Sequence, residues 1–149
     1  MIQPNTTTPN YPAIATALGV GMPMHEGIHE KTRAQYLCLK ARWQKANKPP
    51  DVRENGSIYF NEPVHIIAHD ATAFATEALQ AIRRVRQNLT FERERAMEKL
   101  RIKYRAVAER WAETFEAVAC RDVGVVAIDN RIRHCKQAEA AWKHVIPPE

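Results

Sequence analysis

Glycine is scarce in this 149-residue chain, with five in all, and Ser57 is the only serine. Such a chain is poorly equipped to cradle a phosphate in a Gly-rich loop. The Gly19-Val20-Gly21 stretch carries no GKS or GKT and follows no strand pattern, so it is not a phosphate-binding loop. A serine nucleophile with its His and acidic companions cannot be assembled either, and no Cys/His dyad is apparent. The acid, base and anion-holding groups of an enzyme do not occur together, so catalysis is not expected. The three cysteines, Cys38, Cys120 and Cys135, are odd in number and form no CxxC. This predicts reduced, mostly buried thiols and a cytoplasmic setting rather than a disulfide framework. No basic leader precedes an apolar run, and the stretch 13–24 is too short and too broken by Gly and Pro to span a bilayer. Neither a signal peptide nor a membrane segment is expected.

Proline is also absent from Val64 to Val145, where the sole glycine is Gly124. Over that span Ile82, Val85, Leu89, Ala96, Leu100, Val107, Trp111 and Val118 recur at helical spacing on one narrow arc, with Tyr104 and Phe115 beside it. The pattern predicts one very long helix from about 61 to 119, or two helices meeting near Asn88-Leu89-Thr90, where polar residues interrupt the stripe and Thr90 can cap. Asn61 is a candidate cap, and Pro63 suits a first turn because its missing N–H has no partner there. A straight rod of this length would span roughly 85 Å at 1.5 Å per residue and would need a partner along it.

The rest of the chain reads as material packed on this element. Residues 1–23 form an uncharged N-terminal arm, flexible in its first part, with a short helix from Pro12 to Leu18. Residues 24–149 form a helical domain with helices at about 28–46, 62–88, 90–119 and 123–146. Ile28, Thr32, Tyr36, Leu39 and Trp43 mark the first of these, and Pro49-Pro50 ends it. An Asn55-Gly56 turn and a brief extended stretch at 57–60 occupy the connector. Asp122 is a plausible cap for the last helix. There Val125, Ile128, Ile132, Cys135, Glu139, Trp142 and Ile146 alternate at three and four residues, as in a helix laid nearly antiparallel on another. The expected fold is all-α: a long helical hairpin in a small bundle, with the three tryptophans (Trp43, Trp111, Trp142) in one shared core.

The chain is basic, with 22 Lys and Arg against 17 Asp and Glu and a formal charge of +5. Ten Lys/Arg and four Glu lie between Arg83 and Arg110. A solvated face laced with pairs such as Glu98/Arg101 explains part of this. The excess of Arg over Lys favours bidentate anion contacts, and Arg83, Arg84, Arg95, Lys99, Arg101 and Arg105 are the candidates for meeting nucleic acid or an acidic protein. No recognisable nucleic-acid module accompanies them, so backbone contact without sequence reading is the expected mode.

Two histidine patterns raise metal chemistry. His25-Glu26-Gly27-Ile28-His29 is a literal HExxH, which on a helix would set two imidazoles on one face with a Glu base. Pro23 and Gly27 disfavour a helix there, and Glu30 and Lys31 add charge directly after it. Glu26-x-x-His29 and Glu62-x-x-His65, with His69 one turn further on, match the i, i+3 pairing of bundles that hold two metals. Glu77, Glu113 or Glu139 would have to complete the set, and Glu62 at a helix start also serves the helix dipole. The leading expectation is a non-enzymatic interaction or assembly subunit, self-associating or meeting a protein partner through helix faces, with a nucleoprotein or virus-like complex as one such setting. A sequence-independent nucleic-acid binder, or a regulator of nucleic-acid machinery, comes second. A His/Glu metal-binding bundle comes third, and no other cofactor is implied.

Overall fold

The computed structural model describes residues 8–23, 27–59 and 61–148. The helix starts obey local chemistry. The side chain of Asn10 accepts a hydrogen bond from the Ala13 amide at 3.1 Å and opens α1 (Tyr11–Val20), with Pro12 in the first turn. His29 Nδ1 accepts from the Lys31 amide at 3.2 Å and opens α2 (Glu30–Ala46). A two-stranded antiparallel hairpin follows, β1 (Asp51–Val52) with β2 (Ile58–Tyr59), pairing Val52 with Ile58. Its turn contains Gly56 at φ +85°, the left-handed conformation that the Asn-Gly dipeptide announced.

The long element is α3 (Val64–Lys103), 40 residues and about 60 Å at 1.5 Å per residue. Pro63 takes its N-cap position, and Asn61 instead donates through its side chain to the Lys48 carbonyl at 2.8 Å. Asn61 therefore ties the connector down and does not cap. The helix runs unbroken through Asn88-Leu89-Thr90. Thr90 Oγ1 donates back to the Arg86 carbonyl at 2.9 Å, Leu89 is buried, and the polar patch is gripped by α6 (Val123–Val145) through Arg86–Glu139 and Arg93–Asp129 ion pairs. The breaks come later, at Tyr104 and Trp111, which have non-helical backbones (φ −113°, ψ 41° and φ −135°, ψ 63°) and delimit α4 (Arg105–Arg110) and α5 (Ala112–Ala119). Neither break carries Gly or Pro. Folding back lets Phe115 and Ala119 bury against Met97 and Val125, burial that a straight rod would forgo.

The α3–α6 contact is the most extensive in the molecule, with α1 against α6 and α2 against α3 completing the bundle. Arg86 faces Glu139 while Arg93 faces Asp129, so the two long helices run antiparallel, as the α6 spacing indicated. Asp122 caps α6 as expected, accepting from the Gly124 and Val125 amides at 3.0 and 3.3 Å. Among the described residues this is an all-α bundle of six helices, and no helix is long and apolar enough to cross a membrane.

The short helix α1 belongs to the core. Ile14, Ala17 and Leu18 are buried among α3 and α6 residues. A helix leaves its last carbonyls without internal partners, and here side chains from two other helices supply them. Tyr36 Oη donates to the Leu18 carbonyl at 2.9 Å, Trp142 Nε1 donates to that of Gly21 at 3.2 Å, and His134 Nε2 lies 3.1 Å from that of Val20. Gly21, at φ +83°, turns the chain out of α1, and a Cβ built there would lie 2.8 Å from the Tyr36 hydroxyl. Gly21→Ala combines a backbone conformation disfavoured for alanine with displacement of that hydroxyl. It is expected to destabilise the protein by about 1–3 kcal/mol in a urea titration. Gly19→Ala, where a Cβ meets nothing within 4 Å, is the control expected to hold or gain stability.

Trp142 is fully buried and Trp43 half-buried against Tyr11, with ring centroids 6.5 Å apart. Trp111 does not join them: it is 59% exposed. The expectation of mostly buried thiols holds for Cys135 alone, whose pKa burial pushes up to about 11. Cys38 and Cys120 are exposed, and all three are free.

Candidate functional site

The apolar stripe that defines α3 is buried at Ile82, Val85 and Leu89 and half-buried at Ala96 and Leu100. Beyond Leu100 it surfaces. Tyr104 (44%), Val107 (37%), Trp111 (59%) and Val118 (57%) are exposed at the far end of the hairpin. Tyr104, Val107 and Val118 line a cleft of about 520 Å³ with Leu100, Phe115 and Ala119. These are the residues whose periodicity promised a core, and the breaks at Tyr104 and Trp111 leave them without one. The four exposed side chains present on the order of 400 Å² of largely apolar surface, comparable to the largest patch on an ordinary monomer and commonly a contact site.

The rim of this tip carries both signs. Arg121 and Asp122 line the cleft itself. Lys103 lies over the Tyr104 ring at 5.3 Å, Arg110 over Trp111 at 5.9 Å, and Arg101 over the ring of Phe115 at 5.6 Å. Glu113 and Glu116 are exposed on α5. Stacked cations extend the aromatic surface while keeping their charge in water.

The six basic residues singled out from sequence do not share one surface. At about 100° per residue, Arg84 and Arg95 lie on the outer ridge of α3, with Lys99 turned slightly to one side and Arg83 and Arg101 to the other. Arg105 lies past the Tyr104 break. Arg101 donates to Glu98 at 2.8 Å, the i, i+3 pair expected, and Arg105 to Glu109 at 2.9 Å. Arg83 Nε is 4.0 Å from Glu139. Among the described residues, Arg84, Arg95 and Lys99 are exposed and form no ion pair.

Of the proposed metal ligands, His25 and Glu26 lie outside the described residues. His29 caps α2, and Gly27 and Ile28 form a turn, so no helix runs through the HExxH stretch at its described positions. Glu62 receives three hydrogen bonds from Arg42, which also donates to Asp70 at 2.8 Å. The guanidinium holds the Glu62 carboxyl below its ordinary pKa. His65 and His69 are exposed, one turn apart on α3. Among the described residues no three His, Cys, Asp or Glu side chains gather as a metal site.

Between α2 and α3 a second groove is lined by Gln35, Cys38, Arg42, Asp70 and Glu77. Its polar groups serve each other: Arg42 spans Glu62 and Asp70, and Thr32 Oγ1 donates to Glu77 at 3.0 Å. These bonds clamp α2 to α3. No protein-family model matches the chain, and no curated protein or solved structure matches it either.

Proposed function

We propose that this chain is a non-enzymatic helical assembly subunit, and that it self-associates through the tip formed by the end of α3 with α4 and α5. The observation that carries this reading is the exposure of Tyr104, Val107 and Val118 on an apolar cleft, with Trp111 exposed at the same end of the hairpin. A second copy of the chain is the occupant the rim favours. A two-fold contact places a surface against itself, so each rim charge needs its opposite on the same patch. Lys103, Arg110 and Arg121 with Glu113, Glu116 and Asp122 meet that condition, whereas a rim of one sign would repel a copy. The apolar patch supplies about half of the roughly 800 Å² that each partner of a stable pair contributes, and the rim supplies the remainder. Hydrogen exchange followed against protein concentration tests the location. Amides of residues 104–119 are expected to slow as concentration rises, while those of the β1–β2 turn do not change. Exchange at 104–119 that ignores concentration would contradict the proposal.

A second reading, sequence-independent binding of nucleic acid, is favoured by a separate observation: the exposed Arg84, Arg95 and Lys99 on the outside of α3, which form no ion pair among the described residues. It predicts affinity that falls steeply with salt.

A further inference from the structure

The α3–α6 hairpin contains twelve Lys/Arg and seven Asp/Glu, an excess equal to the net charge of the whole chain. How those charges are distributed across the seam matters more than their number. α6 contributes only two acids, Asp129 and Glu139. Both lie in the seam and both are taken by α3: Asp129 by Arg93 at 2.6 Å, Glu139 by Arg86 with Arg83 Nε at 4.0 Å. The side chain of Glu139 is only 18% exposed.

These pairs fix which flank of α3 meets which flank of α6. Lys136 and Lys143 stand one turn before and one turn after Glu139 on the same side of α6, and both are exposed. Arg133, one position toward the outer face, donates to Asn130 at 3.1 Å, a neutral partner that leaves its charge uncompensated. Arg83 reaches the same flank from α3 with a side chain 53% exposed. One shielded carboxylate is thus surrounded by Arg83, Arg86, Lys136 and Lys143. The α3 positions on this flank before Glu94 are neutral: Thr76, Gln80, Gln87 and Thr90.

We infer that this flank, centred on Arg83, Arg133, Lys136 and Lys143, is a docking surface for the phosphate backbone of duplex nucleic acid. The inference rests on the nucleic-acid reading above but moves the contact from the outer ridge of α3 to the seam. Three features favour a polyphosphate over an acidic protein. The cations sit on two rigid helices, with Arg133, Lys136 and Lys143 spread over about 15 Å of α6 axis, so they can follow a regular charged backbone. No large apolar side chain is exposed on this flank from Asp129 to Val145, whereas a protein interface needs an apolar anchor at its centre. Between Asp129 and Val145 no Phe, Tyr or Trp ring is exposed on α6, and the one such ring bordering the flank on α3, Phe91, is too few for a run of stacked bases, which favours a duplex over a single strand.

The test is fluorescence anisotropy of the full chain with a labelled mixed-sequence duplex of about 20 base pairs, between about 50 and 200 mM salt. Lys136→Ala/Lys143→Ala is expected to weaken binding at least about tenfold at low salt and to flatten the slope of log K against log salt by about 1.8. Lys40→Ala/Lys45→Ala removes the same charge from α2 and is expected to change affinity less than about threefold, since only long-range attraction is altered. Equal losses in the two variants would overturn the site, as would competition by polyglutamate as effective as by duplex. If the loss falls instead on Arg84→Ala/Arg95→Ala, the nucleic-acid reading stands and the seam site fails. A wild-type chain that leaves the duplex unbound at low salt removes both.

Discussion

Trp142→Ala is expected to lower the unfolding free energy by about 3–5 kcal/mol, the cost of emptying a large buried aromatic site. Trp142 is fully buried, edge-on to Tyr36 and Phe74 with ring centroids 6.3 and 5.7 Å away. It thereby joins α2, α3 and α6 at one point. Its indole N–H also satisfies the Gly21 carbonyl, a polar atom that would otherwise be buried unpaired at about 1–3 kcal/mol. Against a typical total of about 5–15 kcal/mol, the loss takes a large share of the stability. Urea unfolding followed by circular dichroism reads it, and Trp142→Phe, which keeps one aromatic ring but loses the indole N–H and part of the buried volume, should fall between. A loss of less than about 1 kcal/mol for Trp142→Ala would show that α1 is not locked to the bundle through this residue.

Trp111→Glu is expected to raise the dissociation constant for self-association at least about thirtyfold, because an aromatic anchor contributes about 2 kcal/mol or more to such a contact. Its effect on folding should stay within about 0.5 kcal/mol, since the side chain is 59% exposed. Phe91→Glu is the matched control. Phe91 is an aromatic of similar exposure, 49%, on the outer face of α3 rather than at the tip. It introduces the same charge and is expected to leave association unchanged. Equal losses in both variants would mean that added negative charge, not the tip, controls assembly.

The sequence was informative wherever structure follows from neighbours in the chain. The stripe through Ile82, Val85 and Leu89, the Asp122 cap, the Glu98–Arg101 pair and the three–four spacing of α6 are all present in the fold. Glu139 shows the limit. Its place on the apolar face of α6 was visible, but that it would pair with Arg86 depended on a register 53 residues away. The breaks at Tyr104 and Trp111 were hidden for a similar reason. No Gly or Pro punctuates them, and what ends the helix is the burial of Phe115 and Ala119 against Met97, a tertiary gain that outweighs local helix preference. The candidate site was therefore legible in its residues and misread in its environment. Val107, Trp111 and Val118 were recognised as apolar and helical, and the chain reversal is what turned them outward. For the HExxH stretch, whose spacing has meaning only on a helix, Pro23 and Gly27 disfavour one in the sequence, and α2 begins at Glu30, after its last histidine.

The central claim, that the tip joins copies of this chain, is tested most directly by the mass of the wild-type protein in light scattering over a concentration series. Self-association predicts a mass that rises from the 17.0 kDa of one chain toward twice that value, and a Trp111→Glu variant that stays at 17.0 kDa throughout. A wild-type chain that remains at 17.0 kDa at the highest concentration reached would contradict it.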